Sequence, residues 1–142
     1  MNKEVKISIT AVHGIGADRD VIKTEALGVY YEKDSKQYLK YTETDPETGS
    51  KRDALIRAEG RVVKTSYRGT TDTTMIFDVG QVTRSMYITP MGSMQLEIET
   101  QSLIVENKKD SFELSLEYKL GIAEGEKQRV SLHITAIPIR II

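Results

Sequence analysis

Met86-Tyr87-Ile88-Thr89-Pro90-Met91-Gly92-Ser93-Met94-Gln95-Leu96-Glu97-Ile98-Glu99-Thr100-Gln101-Ser102-Leu103 is the stretch whose reading decides the fold. After Pro90-Met91-Gly92, residues Met94, Leu96 and Ile98 fall on one row. Gln95, Glu97, Glu99 and Gln101 fall on the other. Successive side chains of a strand point to opposite faces, so this is a period-two pattern with one buried and one wet face. A helix needs apolar residues at three-and-four spacing, and the stretch lacks them. The two arms are therefore a β-hairpin resting one face on a core. The chain reverses in little space at the turn, which predicts a positive φ at Gly92.

The same alternation extends in both directions. Val5, Ile7, Ile9 and Ala11 mark a strand over 4–12. Residues 20–32 carry Leu27, Val29 and Tyr31 on one row, with Gly28 between them. Leu39 and Tyr41 mark 38–44, and two further strands, 54–58 and 61–68, meet across Glu59-Gly60. Thr73, Met75, Phe77 and Val79 share a row in 71–79; Val82, Arg84, Met86 and Ile88 share one in 82–89. The cleanest run is 111–122, where Phe112, Leu114, Leu116, Tyr118, Leu120 and Ile122 oppose Ser111, Glu113, Ser115, Glu117 and Lys119. Val130, Leu132, Ile134 and Ala136 complete the set, and Pro138 ends ladder pairing or confines it to an edge. Between the runs lie breakers: the loop 13–18, Asp34-Ser35-Lys36, the loop 45–49, Arg68-Gly69, Gly80-Gln81, and the polar turns 107–110 and 123–126.

About ten strands thus follow one another with no helical period and no shift in composition. The expectation is one all-β domain over 1–142. A meander this long closes on itself or splits into two packed sheets, since open twisted sheets of ten strands are uncommon and closure removes exposed edges. A closed antiparallel barrel of about 8–10 strands is the first expectation, a two-sheet sandwich the second.

With 142 residues, 39% hydrophobic and 29% charged, the chain can bury a sizeable core. A net charge of −1 gives no pull toward nucleic acid or an anionic membrane. The absence of cysteine excludes disulfides, thiolate nucleophiles and cysteine-bound metal. His13 and His133 alone do not make a histidine-rich metal site. No apolar run reaches the length of a membrane helix or a signal peptide, so no membrane span is expected and the cytoplasm is the default location.

Several short motifs carry a family resemblance over nearly the whole chain. They are Gly28-Val29-Tyr30-Tyr31, Tyr38-Leu39-Lys40-Tyr41, Arg68-Gly69, Phe77-Asp78-Val79-Gly80 and Tyr87-Ile88-Thr89-Pro90-Met91-Gly92, followed by Leu96, Thr100, Leu103 and Tyr118. In this order and spacing they resemble the YwiB-like family of small uncharacterised bacterial proteins. The resemblance implies a calycin-like barrel, similar to those of lipocalins and fatty-acid-binding proteins, and with it a binding role. It implies no catalytic residue.

A barrel of this size can hold one small ligand, and its inward apolar rows would line the site. If the row Val82, Arg84, Met86, Ile88 faces inward, Arg84 is a cation in apolar surroundings, ready for a carboxylate or phosphate. The blander reading places Arg84 at the mouth, reaching water. The seven tyrosines, in a chain without tryptophan, can form a binding wall or stack bases, but they are also ordinary strand residues. Glu97 and Glu99 superficially resemble the acids of triphosphate tunnels. The next position in register is Gln101, not a base, and the apolar row beside them sends them outward. His133 shares a row with Ser131 and Thr135 and should face water. His13 has no nucleophile beside it, and Gly14-Ile15-Gly16 is only a fragment of a phosphate loop.

The sequence therefore points to a non-enzymatic barrel that binds a small amphipathic or anionic ligand. Arg84, Met86, Tyr87, Met94, Leu96 and Tyr118 are the candidate ligand-binding residues, with no catalytic residue, metal or cofactor. The competing reading is a structural or regulatory interaction module whose barrel is filled by its own side chains. A metal-dependent enzyme of phosphate chemistry comes last. The oligomeric state stays open, a homodimer included.

Overall fold

The computed structural model describes residues 2–14, 19–45, 47–69, 71–108, 111–122 and 125–139. The glycine fragment Gly14-Ile15-Gly16 and the tips of the turns expected at 107–110 and 123–126 lie wholly or partly outside the described residues.

The described residues form ten strands: β1 (Asn2–His13), β2 (Asp20–Lys33), β3 (Lys36–Thr44), β4 (Lys51–Glu59), β5 (Val62–Arg68), β6 (Asp72–Asp78), β7 (Val82–Thr89), β8 (Gly92–Lys108), β9 (Ser111–Ile122) and β10 (Gln128–Pro138). Each pairs antiparallel with its neighbours in sequence, and β10 closes on β1, so the meander is a barrel. Closure at Ile9↔Ile134 and Ala11↔Leu132 puts the apolar rows of β1 and β10 side by side. No helix of the described residues is long and apolar enough to cross a membrane.

Local chemistry sets the turns. Asp34 and Ser35 both take positive φ, 54° and 65°, the pairing of a tight two-residue hairpin between Lys33 and Lys36. At the β7–β8 hairpin Gly92 has φ 132°, as its place in the turn predicts. The Thr89 hydroxyl accepts from the Met91 amide and donates to the Gly92 carbonyl, holding the loop shut.

Followed across the strands, the register joins Val5, Gly28, Tyr41, Ala54, Tyr67, Thr73, Tyr87 and Met94 into one inward row. Large and small residues alternate along its middle, which lets bulky rings fill a narrow interior. Gly28 is the extreme case. A Cβ there would lie 2.4 Å from the Lys40 carbonyl oxygen and 2.6 Å from Ile7 Cδ1, so Ile7 occupies the space that a side chain would take.

Two strands present the face opposite to the one their apolar rows suggest. In β2 the inward residues are Ala26, Gly28 and Tyr30; Leu27 points outward and is 70% exposed. The decisive rows of β1 and β3 fix β2 between them, and small residues are what fits beside Ile7 and Tyr41. In β7 the inward residues are Thr83, Ser85 and Tyr87, because they pair with Ile98, Leu96 and Met94. Val82, Arg84, Met86 and Ile88 lie outside.

The cause in β7 is a conflict of register. The β6–β7 turn is closed by the Gln81 amide donating to the Asp78 carbonyl at 3.0 Å. Extended from that turn, Phe77 would oppose Val82 and Ile76 would oppose Thr83. The pairs actually formed at the far end, Asp72↔Ile88 and Thr73↔Tyr87, are one residue out of step with this. A slip of one residue exchanges the two faces of a strand. The turn's register would send the Val82 row inward; pairing with β8 sends the Thr83 row inward, and β8 prevails. Between the turn and Thr73↔Tyr87 the β6–β7 ladder is interrupted. The Thr83 hydroxyl donates to the Ile76 carbonyl across this gap.

Strand β8 changes character at its middle. Residues 92–99 pair with β7 and 96–108 pair with β9, with a bulge between Thr100 and Ser102 that leaves Gln101 unpaired. Beyond Thr100 its ladder runs on the β9 side.

Candidate functional site

The rim that carries the β7–β8 turn is where inward-facing residues meet water. Ile22, Met94 and Ile122 belong to inward rows, yet each is about half exposed. Leu96 and Tyr87 stand just below them, half-buried. On one side of the rim Arg52 lies over the Tyr67 ring, its guanidinium carbon 4.2 Å from the centroid. Its Nε and Nη2 are both 2.7 Å from Oε2 of Glu43, so its charge is already matched. A cation that is stacked and paired in this way is a positioned part of the rim rather than a free anion receptor.

Below the rim the interior turns polar. The side-chain oxygens of Thr65, Thr73, Ser85 and Thr100 are buried and find no hydrogen-bond partner among the protein's own atoms, while the buried Tyr41 and Tyr67 hydroxyls lie within reach of each other. Register groups them: Thr73 sits between Tyr67 and Tyr87, Thr65 is two residues from Tyr67, and Thr100 lies beside Tyr118. Burial pushes the Tyr41, Tyr67 and Tyr118 hydroxyls well above the ordinary phenol range, so all three stay neutral. For Tyr41 the neighbouring Tyr67 and Glu43 add to the shift. Among the described residues the interior thus offers neutral hydrogen-bonding groups and no charge.

A buried polar group without a partner costs about 1–3 kcal/mol. Ordered water or the polar end of a guest is what meets buried hydroxyls of this kind.

The interior around these hydroxyls is tightly filled. Ile7, Val63, Phe77, Ile98 and Leu114 have no exposed surface, and the Phe77 and Tyr118 rings meet edge to face at 4.7 Å. Two hollows lie toward the opposite rim. One, about 20 Å³, is bounded by Lys3, Val5, Tyr30, Asn107, Phe112 and Pro138. The other is an open groove of about 340 Å³ along Gly60, Arg61, Val79 and the one-sided part of β8 at Gln101, Leu103 and Val105.

The structure divides the six candidate residues. Tyr87, Met94, Leu96 and Tyr118 face inward, on or below the rim. Arg84 and Met86 do not: both stand on the outer face, exposed to water, and the side chain of Arg84 is 62% accessible. Arg84 Nε contacts Glu97 Oε1 at 3.3 Å, and Lys127 adds contacts of 3.7 and 3.6 Å to Glu97 and Glu99. The two acids thus face outward as expected, and their basic partners come from β7 and the segment before β10. His133 is exposed, with its ring nitrogens 2.9 Å from the Ser115 hydroxyl and 3.3 Å from the Thr135 hydroxyl. Among the described residues no group of three or more His, Asp or Glu gathers to hold a metal.

Sequence reasoning missed Glu43, Arg52, Thr65, Thr73, Ser85 and Thr100. The signal for the last four was the recurrence of small hydroxyl residues at alternate positions in four successive strands. It becomes readable only once the face of β7 is known.

Fold and rim together define an up-and-down β-barrel with an apolar mouth above a neutral polar interior. The chain belongs to the family described as Domain of unknown function (DUF1934), whose model matches residues 7–134. Its fold is similar to the crystal structure of ywiB protein from Bacillus subtilis, with a TM-score of 0.87 at 20% identity over 98% of this chain and 94% of that one. No functionally curated protein matches the sequence.

Proposed function

We propose that this barrel is a non-enzymatic binding protein for a small, neutral, amphipathic molecule. Its polar end would bond the buried hydroxyls and its apolar end would rest on Met94, Leu96, Ile122 and Ile22. The observation that carries this reading is the set of buried interior hydroxyls, Thr65, Thr73, Ser85 and Thr100, without a partner in the protein. Neutrality follows from the same wall. An ion there would lose its hydration against groups that carry no opposite charge, at a cost of several kcal/mol. Arg84, the residue that had suggested an anionic ligand, is outside the barrel and paired. The tight packing below the rim argues for a small guest seated near the mouth, and the flexible Met94 side chain suits an adaptable apolar contact.

Native mass spectrometry of freshly purified protein, together with titration of N-phenyl-1-naphthylamine as a neutral amphipathic probe, tests this. Expected are a co-purifying small mass or saturable probe binding, and at least tenfold weaker probe binding in Met94→Glu. Absence of both a bound mass and saturable binding overturns it. That result favours the second reading, an interaction module with a filled barrel, for which the 340 Å³ groove beside β8 is the supporting observation.

A further inference from the structure

Among the interstrand seams of the barrel, the one between β6 and β7 stands apart. Strands of seven and eight residues share only the pairs Asp72↔Ile88 and Thr73↔Tyr87. The physical reason is the one-residue conflict between the Asp78–Gln81 turn and the register imposed by β8. Neither ladder can be extended to meet the other without turning a strand inside out. The link across the interrupted part is a side-chain one, from the Thr83 hydroxyl to the Ile76 carbonyl. A stretch held by one hydroxyl in place of a backbone ladder opens at lower free energy than its neighbours.

Two of the unpartnered hydroxyls flank this gap. Thr73 is the last β6 residue in the ladder, and Ser85 is the first inward β7 residue beyond it. Both oxygens are fully shielded from solvent in the closed barrel. The weak seam and the polar wall are independent observations that fall on the same place.

We propose that the β6–β7 seam is the entrance to the polar interior: it opens locally and admits small neutral hydrogen-bonding molecules to the Thr73 and Ser85 hydroxyls. Water passes by this route when no larger guest is present. The route deepens the binding role proposed above and rests on it, but the two are separable. Probe binding tests whether the barrel holds a guest; access through the seam is tested without any ligand.

The test uses the absence of native cysteine. Single-cysteine proteins Ser85→Cys and Thr65→Cys place a thiol at two buried hydroxyl positions, one at the seam and one on β5. Each is labelled with iodoacetamide, a small neutral reagent, across a range of low urea concentrations. Opening of the seam gives Ser85→Cys a labelling rate at least tenfold above that of Thr65→Cys and nearly independent of urea. Adding Thr83→Val, which removes the hydroxyl link, should raise the Ser85→Cys rate a further threefold or more and leave Thr65→Cys at its global unfolding rate. Thr73→Cys serves in place of Ser85→Cys if the latter fails to fold. Equal, urea-dependent rates at both positions would show that access requires global unfolding and would overturn the proposal. Equally fast, urea-independent labelling at both would also overturn it, because the opening would then not belong to this seam.

Discussion

The wall formed by β9, β10 and β1 and the seam between β6 and β7 are built from the same backbone pattern and behave differently. In the wall, Leu114↔Ile134↔Ile9 and Leu116↔Leu132↔Ala11 stack apolar residues across three strands in one uninterrupted register. Each ladder step supports the next, and the outward row is polar throughout β9. In the seam, the inward residues Thr73, Thr83 and Ser85 bear hydroxyls, the outward row of β7 exposes Val82, Met86 and Ile88 beside Arg84, and the ladder stops after two pairs. A strand with two plausible faces takes its orientation from its neighbours. Where the neighbours disagree, the ladder is interrupted. The wall supplies stability, and the seam is where access to the interior can be arranged.

The largest expected effect lies in the wall. Leu116→Ala should lower the unfolding free energy by roughly 2–5 kcal/mol, read from urea midpoints. A loss under 1 kcal/mol would mean that the wall is not the rigid partner in this comparison. Next comes Gly28→Ala, which forces a methyl against the Lys40 carbonyl and Ile7. About 1–3 kcal/mol should be lost, and truncating Ile7 should not restore it, because the closer obstacle is backbone. An unchanged midpoint would remove the steric account of why β2 turns Leu27 outward.

The third prediction concerns alkali. Burial, with the Glu32 carboxylate that accepts from its hydroxyl at 2.8 Å, pushes Tyr30 up to about 12. An unfolded tyrosine ionises near 10, so the contribution of Tyr30 is complete below pH 10 and is lost as pH rises from 10 through 12. Denaturation midpoints measured across this window should fall, and Tyr30→Phe should fall less steeply. Identical slopes would assign the alkaline loss to other tyrosines.

The fourth is Thr65→Val, a replacement close in shape that removes one interior hydroxyl. If that hydroxyl bonds a guest atom, stability drops by about 1 kcal/mol. A gain in stability would show that the hydroxyl is bare in the folded protein. The smallest effect belongs to the outer face: Arg84→Gln breaks an exposed ion pair and should move stability by no more than about 0.5 kcal/mol. A loss above 1 kcal/mol would point to a role for the outer β7 row that its exposure does not suggest.

Much of this architecture was legible in the residues, for a definable reason. Ten alternating runs with Gly, Asp and Asn between them specify strands and turns locally; their number allows a closed barrel or a two-sheet sandwich, and the pairing of β1 with β10 decides for the barrel. The faces of β1, β3, β6, β8, β9 and β10 were legible because each has one apolar and one polar row. β2 and β7 were misread because each carries its larger apolar residues on the row that ends outside. Leu27 and Val82 outrank Gly28 and Thr83 in any count of hydrophobicity, yet register with Ile7 and Ile98 decides the matter. The site inherited this error. Met94, Leu96 and Tyr118 lie inside as their rows suggest, whereas the reversed face of β7 carries Arg84 and Met86 to the exterior and brings Tyr87, which stands on the other row, to the interior. Arg52 and Glu43 escaped notice because ends of strands carry charge as a rule, and their pairing depends on a cross-strand match that no single run displays.

Closure of β1 on β10 also bears on how the protein is made. Synthesis runs from β1 toward β10, and the ladder that seals the barrel, from Val5↔Pro138 to His13↔Val130, joins one end of the meander to the other. Until β10 has left the ribosome, the emerging chain is a ribbon of hairpins with β1 and β9 as open edges, and their apolar rows have no third strand to cover them. Such edges are ready to pair with other chains, and contacts so distant in sequence form slowly. The tenth strand thus acts as a commitment step for the nascent chain. A product interrupted before Gln128 carries nine strands' worth of hydrophobic surface without the seal, and belongs to the chaperone and protease machinery rather than to the folded pool.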